Sequence, residues 1–158
     1  MKNKDRELAE KILRAICIGA QVDAVRFGIG FAILFDHLNN PSPIPYESIY
    51  LTIETNFVVL PSLPPKTPRF PELTLNERLS ALASLHGQRI VNVSLGETSP
   101  HLIMTFASGH VLFVNGYQRE YECWQLGLTE AVDDEVWLIV AMGDDEIAIW
   151  APDRAKSF

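Results

Sequence analysis

Cysteine, basic charge and long apolar runs are all scarce in this sequence, and each scarcity argues against a class of protein. The two cysteines, Cys17 and Cys123, cannot build a disulfide framework, so we expect reduced, buried thiols and a cytoplasmic location. Lysine and arginine number 13 against 20 aspartates and glutamates, and the formal net charge of −7 is the opposite of what a phosphate-backbone binder needs. The longest apolar run, residues 29–35, has the length of a strand and is far short of the ~20 residues that span a bilayer. We therefore expect neither a nucleic-acid nor a membrane partner.

Sequence motifs that carry chemistry are missing as well. The chain has no phosphate-cradling glycine loop followed by lysine, no HExxH, no pair of CxxC motifs and no serine in a GxSxG turn. Its four histidines, His37, His86, His101 and His110, have no spacing that forces them around a metal ion. Cys123 lies inside a predicted strand, where burial raises the pKa of a thiol and makes it unreactive. We predict no catalytic residue, no metal and no cofactor, and we favour a protein that is not an enzyme.

One pattern of apolar residues and glycines occurs twice. Residues 19–28 align with residues 87–96 at a constant offset of 68. Each copy follows an amphipathic helix pattern, residues 5–18 and 74–86, which ends at a glycine suited to the left-handed conformation of a helix C-terminus. Glycine turns and alternating apolar residues then predict a run of strands in each copy. We interpret the repeat as an internal duplication with pseudo-twofold symmetry.

The order of these elements predicts an α+β fold, made of two copies of a unit in which a helix precedes an antiparallel strand meander. Two helices and about eight or nine strands are expected. Residues 1–60 are the first copy, 61–72 a linker with five prolines, and 73–158 the second copy with an additional C-terminal hairpin, all within one compact domain. A second proline-rich loop is predicted at residues 39–48 and a loose tail at residues 151–158. Whether the copies form one curved sheet or two sheets is left open.

Two acidic triplets are the first group of candidate site residues. Each opens a predicted strand, and the second lies in the turn of the last hairpin. The triplets are Asp133, Asp134 and Glu135, and Asp144, Asp145 and Glu146. Turn formation and protection of edge strands against aggregation explain such charges without any partner. The triplets also suit electrostatic attraction of a basic partner or, if they converge in a cleft, a divalent cation.

Three aromatic residues form the second group. Tyr121, Trp124 and Trp150 are candidates for lining a pocket between the two copies. Such a pocket would hold a small ligand and would need several inward polar groups. Large aromatic side chains in strands, however, more often belong to the core.

Five short motifs resemble those of a family of small uncharacterised bacterial α+β proteins. They are Leu85-x-Gly87-x-x-Ile90-x-x-Val93, Phe106-x-x-Gly109, Leu112-x-Val114, Tyr121-Glu122-x-Trp124-x-Leu126 and Glu146-x-Ala148-x-Trp150. The resemblance covers residues 75–150 and implies a small, stand-alone cytoplasmic protein. Some members of that family are suspected immunity proteins for secreted toxins. It brings no activity, ligand or site residue to this chain. Residues 39–48 have no place in the family's pattern.

These observations predict a non-enzymatic cytoplasmic module that binds another protein, with an immunity-type inhibitor of a basic toxin as its specific form. One alternative is a small-ligand-binding protein or enzyme with an aromatic-lined pocket between the two halves. The other is a structural or regulatory homo-oligomer built by pairing exposed edge strands.

Overall fold

The chain folds into two antiparallel sheets and two helices, as a computed structural model of residues 3–28, 30–37 and 48–158 describes it. The helices are α1 (Asn3–Cys17) and α2 (Leu75–Ala83), and the strands are β1 (Gln21–Phe27), β2 (Phe31–Asp36), β3 (Ser48–Ile53), β4 (Phe57–Leu60), β5 (Ile90–Leu95), β6 (Leu102–Phe106), β7 (Val111–Val114), β8 (Trp124–Thr129), β9 (Leu138–Ala141) and β10 (Ile147–Trp150). Two 3-10 helices, Val132–Asp134 and Asp153–Ser157, complete the described elements. The predicted α+β class with antiparallel sheets is confirmed.

The described residues form ten strands, where about eight or nine were expected. The additional strand is β4, which the sequence presents as a continuation or a restart of the strand before it. β3 and β4 are separate because residues 54–56 turn the chain out of one sheet and into the other.

Two strands, β4 and β8, each join the sheet that is formed mainly by the other part of the chain. The six-stranded sheet has the order β1-β2-β3-β8-β9-β10, and the four-stranded sheet has the order β4-β7-β6-β5. Strands β1 to β3 and β5 to β7 are the two meanders. β4 then pairs with β7, and β8 pairs with β3. Each meander is therefore extended by a strand from the other part of the chain.

Both helices form for reasons visible in the sequence. Ile12 and Ile16 of α1 are buried at helical spacing, and Gly19 ends the helix in the left-handed conformation with a φ of 92°. Helix α2 begins with the predicted capping box, in which the Thr74 hydroxyl accepts from the Glu77 N–H and the Glu77 carboxylate accepts from the Thr74 N–H. The bonds from Thr74 lower the pKa of Glu77.

The two sheets join where the start of β1 meets the start of β5. Gln21 forms an antiparallel bridge with Arg89. Four backbone hydrogen bonds flank this bridge: Gly19 N–H to Ile90 C=O (2.9 Å), Gly87 N–H to Val22 C=O (2.9 Å), Val22 N–H to Gln88 C=O (3.0 Å) and Ile90 N–H to Ala20 C=O (2.8 Å). Register shifts follow at once in both strands, between Val22 and Ala24 and between Ile90 and Asn92. The first part of each of these edge strands is thus covered by the other.

Helix α1 packs against β5 and β10, and its polar side chains bond the remaining edge of β5. Arg14 Nε donates to the Val93 carbonyl (3.0 Å), and the Glu10 carboxylate accepts from the Leu95 N–H (3.2 Å). Arg14 and Glu10 also form a salt bridge of 3.1 Å. These side chains occupy backbone groups that another chain would otherwise pair with.

The prediction of a loose C-terminal tail is wrong, because the residues after β10 are held on the fold. Ala155 is buried, and the ring of Phe158 stacks on Trp137 with centroids 5.9 Å apart. Arg154 forms a salt bridge with Glu135 and lies over the Trp137 ring. These contacts dock the second 3-10 helix beside the start of β9.

The two proline-rich segments have different outcomes. Residues 61–72 are described and contain neither helix nor strand. The loop predicted at residues 39–48 lies outside the described residues except for Ser48, which begins β3. Among the described helices, none has the length and apolar character needed to cross a membrane.

Candidate functional site

An open cleft of about 660 Å³ lies at one end of the six-stranded sheet, and five carboxylates and one guanidinium group line it. Its lining residues are Glu54, Arg119, Glu120, Tyr121, Glu122, Gln125, Met142, Gly143, Asp144 and Glu146. We call it the acidic cleft. Four of these residues belong to residues 115–123 between β7 and β8, which we call the cleft loop. The volume falls within the ~300–1,000 Å³ that is usual for ligand sites.

Both ends of the cleft loop are bonded to the turn between β3 and β4. The Thr55 hydroxyl, with its single proton, lies within donating distance of two carbonyls, those of Asn115 (2.6 Å) and Cys123 (3.2 Å). The Glu54 N–H donates to the Cys123 carbonyl (3.0 Å), and the Asn115 N–H donates to the Asn56 carbonyl (2.9 Å). One threonine therefore clamps the loop where it leaves the four-stranded sheet and where it enters the six-stranded one.

The turn between β9 and β10 holds the tip of the cleft loop. Asp144 and Asp145 have φ values of 57° and 61°, as the two central residues of a type I′ hairpin turn require. The Asp144 N–H donates to the Gln118 carbonyl (2.9 Å). Gly143 lies so close to the loop that an added Cβ would be 2.9 Å from the Arg119 carbonyl oxygen. The wall of the cleft is thus fixed before any ligand arrives, which lowers the entropic cost of binding.

The guanidinium group in the cleft already has partners. Arg119 Nε donates to the Tyr117 hydroxyl (3.4 Å). This hydrogen bond is the main reason that the pKa of Arg119 is raised, and the charges of Tyr117 and Asp144 act in the same direction. Arg119 therefore offsets part of the negative charge at the Asp144 side of the cleft.

The carboxylates differ in how far they are engaged. Glu122 accepts a hydrogen bond from Gln125 Nε2, which also lines the cleft. Glu54, Glu120 and Glu146 form no salt bridge with any described residue. All three are exposed, so they face incoming ligands without an internal counter-ion. They are the carboxylates best placed to receive an external cation.

The structure does not bring the three predicted pocket aromatics together. Tyr121 lines the acidic cleft with its side chain about half exposed. Trp124 is fully buried in the core, and its Nε1 donates to the Pro100 carbonyl (2.8 Å). Trp150 ends β10 on the outside of the sheet and does not line the cleft.

The second acidic triplet contributes to the cleft. Asp144 and Glu146 are among the lining residues, and both belong to the hairpin turn that was predicted for them. Asp145 is turned away from the cleft, with a buried Oδ1 that has no hydrogen-bond partner among the described residues.

The first acidic triplet lies elsewhere and does not open a strand directly. Asp133 and Asp134 are exposed in a 3-10 helix, at φ values of 63° and 54°, and β9 begins only at Leu138. Glu135 accepts from Arg154 and from Trp137 Nε1 (3.2 Å), so it docks the C-terminal 3-10 helix. The two triplets therefore do not converge.

Beneath the cleft, Asp145 influences two titratable groups in the interior. Burial raises the pKa of the Cys123 thiol to about 11, and the charge of Asp145 adds to this effect. Burial lowers the pKa of His101, which Asp145 partly opposes. The neutral imidazole is thus favoured, and its Nδ1 accepts from the Gly116 N–H (2.9 Å). A protonated, buried thiol is a poor nucleophile, as the sequence predicted.

Sequence reasoning missed most of the cleft residues. Glu120 and Glu122 lie in the cleft loop, and Glu54 lies 66 residues earlier than Glu120 in the chain. A local signal for part of the loop does exist, because residues 115–120 separate two predicted strands. The contribution of Glu54 depends on the crossing of β4 and β8 between the sheets, which no spacing in the sequence reveals.

No group of three or more histidine, cysteine, aspartate or glutamate side chains that could hold a metal ion occurs in the described part of the chain. Comparisons of the chain with protein-family models, curated proteins and solved structures found no match.

Proposed function

We propose that the acidic cleft binds a basic side chain of a protein partner. The observation that carries this proposal is the set of five carboxylates around one cavity, none of which forms a salt bridge with a described residue. A lysine or arginine that enters the cleft gains charge-assisted hydrogen bonds. It also lies beside the half-exposed ring of Tyr121, whose face attracts cations. The net charge of −7 favours the approach of such a partner.

An immunity-type inhibitor of a basic toxin is the specific form of this proposal. A toxin that acts on nucleic acid presents lysine and arginine to phosphates. A cleft with fixed carboxylates would compete for those side chains, and its anchored loop would lose little conformational entropy on binding. The resemblance to a family with suspected immunity proteins points the same way and remains a prediction.

Neutralising the cleft is expected to weaken binding of a basic probe. The probe is fluorescein-labelled hexa-arginine, and the variant is the triple change Glu54→Gln, Glu120→Gln and Glu146→Gln. Fluorescence anisotropy at low salt should show an affinity at least about tenfold lower for the variant, because three of the carboxylates that face the probe lose their charge.

A matched variant separates the cleft from overall charge. Asp133→Asn, Asp134→Asn and Glu97→Gln together remove the same charge from exposed sites outside the cleft. Its affinity for hexa-arginine should stay within about twofold of the wild type, since screened charges contribute little at a distance. Equal losses in the two triple variants would contradict the proposal, because binding would then follow net charge alone.

A small cationic ligand is the second candidate, and the volume of the cleft favours it. Spermidine distinguishes the two in the same assay. Displacement of hexa-arginine by micromolar spermidine would favour a small-ligand site, whereas displacement that needs millimolar spermidine would favour a protein partner with several basic residues.

We also propose that the chain arose by duplication of a helix-and-meander unit, with the strand after each meander exchanged between the copies. The four hydrogen bonds at the junction of β1 and β5 form two pairs in which each residue is replaced by its equivalent 68 positions away. The bond from Gly19 to Ile90 corresponds to the bond from Gly87 to Val22, and the bond from Val22 to Gln88 corresponds to the bond from Ile90 to Ala20. The same offset relates Gln21 to Arg89, which pair with each other, and it relates the two register shifts. These correspondences support a pseudo-twofold axis at that bridge.

Exchanging the two bridge residues tests the duplication. Equivalent surroundings would make the double variant Gln21→Arg with Arg89→Gln about as stable as the wild type, within about 1 kcal/mol in urea unfolding. A loss above about 2 kcal/mol would show that the two positions are not equivalent. The cleft loop is one difference between the proposed copies, since residues 54–56 stand in the first copy where residues 115–123 stand in the second.

A further inference from the structure

Strand β10 is an edge of the six-stranded sheet, and half of its backbone groups face away from that sheet. It pairs with β9 alone, with Ile147 opposite Ala141 and Trp150 opposite Leu138. The Met142 N–H donates to the Glu146 carbonyl (2.8 Å). Because hydrogen-bonded pairs alternate along an antiparallel ladder, the N–H and C=O groups of the even-numbered residues of β10 point toward β9. The N–H and C=O groups of Ile147 and Ile149 therefore point outwards.

The other edges near helix α1 are covered, whereas β10 is not. Arg14 and Glu10 occupy the outer groups of β5, and the start of β1 is bonded to β5. The residues that the structure describes supply no hydrogen bond to the outward groups of Ile147 and Ile149. Unpaired N–H and C=O groups on an edge strand are a template that an extended segment of another chain can pair with.

A groove of about 430 Å³ runs beside this edge, lined by β10, by helix α1 and by residues 151–156. Its apolar wall includes Leu8 and Ile12 from the helix and Ile147 and Ile149 from the strand. A strand edge with an apolar groove beside it is the arrangement that binds extended peptides by strand addition: backbone hydrogen bonds supply affinity, and alternate side chains enter the groove.

We infer that β10 binds an extended segment of a partner protein that has small aliphatic side chains at alternate positions and a flanking lysine or arginine. Aliphatic residues match the groove wall. The basic residue matches the local charge, since Asp5 lines the groove and Glu146 directly precedes the strand. Asp153 and Lys156, which also line the groove, are paired with each other (2.6 Å). This surface is separate from the acidic cleft, apart from Glu146 at the strand's start.

The short length of β10 favours an extended peptide segment as its partner over a second copy of the chain. The strand has four residues, of which two present outward backbone groups. A stable dimer buries about 1,200–2,000 Å², which so short an edge does not supply. A short extended segment, in contrast, needs little more than the edge and the groove.

The test uses the labelled peptide Lys-Val-Thr-Val-Thr-Val-Lys and two variants of the full chain. Ile149→Pro removes an outward N–H, which no bond to β9 uses, while Ile149→Ala keeps that N–H and shortens the side chain to a similar degree. We expect affinity at least about tenfold lower for Ile149→Pro than for Ile149→Ala, because both variants lose the groove contact of the isoleucine side chain and only the proline variant also loses the outward N–H. Equal affinity of Ile149→Pro and the wild type would overturn the inference, as would no binding of the peptide to the wild type at millimolar concentration.

Two modified peptides keep the test decisive even if Ile149→Pro does not fold. One peptide is N-methylated at every second amide and the other at the intervening amides, so that only one of them loses the N–H groups facing β10. Strand addition requires one peptide to bind at least about tenfold more weakly than the other. Equal affinities would reject it. A concentration-dependent dimer in sedimentation that Ile149→Pro dissolves would replace the peptide by a second copy of the chain.

Discussion

Replacing Trp124 by alanine is expected to lower the free energy of unfolding by about 4 kcal/mol, close to the upper range for truncating a core side chain. The indole is fully buried at the start of β8, where that strand enters the six-stranded sheet beside β3. Alanine leaves a cavity of most of the ring's volume. It also leaves the Pro100 carbonyl, which accepts from Trp124 Nε1 at 2.8 Å, without its buried donor.

Two further tryptophan variants separate the loss of the hydrogen-bond donor from the loss of buried volume and provide an exposed control. Trp124→Phe keeps most of the ring and removes the donor, so we expect a smaller loss of about 1–3 kcal/mol. Trp150→Ala removes a side chain that is 47% exposed, and its loss should stay below about 1 kcal/mol. Urea unfolding followed by circular dichroism measures all three. A loss below about 1 kcal/mol for Trp124→Ala would mean that the site is not packed as described.

Replacing Gly116 by alanine is expected to cost about 3 kcal/mol or more, although it adds only one methyl group. An added Cβ would lie 2.1 Å from the Pro100 carbonyl oxygen and 2.5 Å from the His101 backbone nitrogen. Both neighbours are backbone atoms, so they cannot move aside as a side chain would. The shift would also break the bond from the Gly116 N–H to His101 Nδ1 (2.9 Å).

Gly28→Ala is the matched control for this change. A Cβ at Gly28 would have no heavy atom within 4 Å, so alanine there should alter stability by about 0.5 kcal/mol or less. Similar unfolding midpoints for Gly116→Ala and Gly28→Ala would contradict the close approach of residues 100 and 116. Because Trp124 and Gly116 both contact Pro100, the double variant should cost less than the two single losses combined.

The local pattern of the sequence was sufficient to predict both helices and most strands. The capping box at Thr74 and Glu77, the glycine at each helix end and the alternation in β3 act over a few residues, so they can be read from spacing. The C-terminal tail was predicted wrongly because Arg154 and Phe158 are held by Glu135 and Trp137, which lie far from them in the chain.

In the acidic cleft, likewise, the sequence indicated the residues that belong to a local motif and missed those that distant contacts bring in. Asp144 and Glu146 were candidates because they lie in a recognisable hairpin turn. Glu54 was not, since it reaches the cleft through the Thr55 bonds that join the turn after β3 to the cleft loop. Trp124 was assigned to a pocket on its residue type, whereas its burial depends on which sheet β8 joins.

The exchange of β4 and β8 has a consequence for how the molecule can come apart. Neither meander can separate from the rest of the fold without breaking the pairing of β3 with β8 or of β4 with β7. We therefore expect the two sheets to unfold in one cooperative transition and not in two successive ones. The acidic cleft lies across this interlock, because Glu54 follows β3 and the cleft loop leads into β8. A partner bound in the cleft would contact residues attached to both sheets, and its binding free energy would add to the stability of the whole fold.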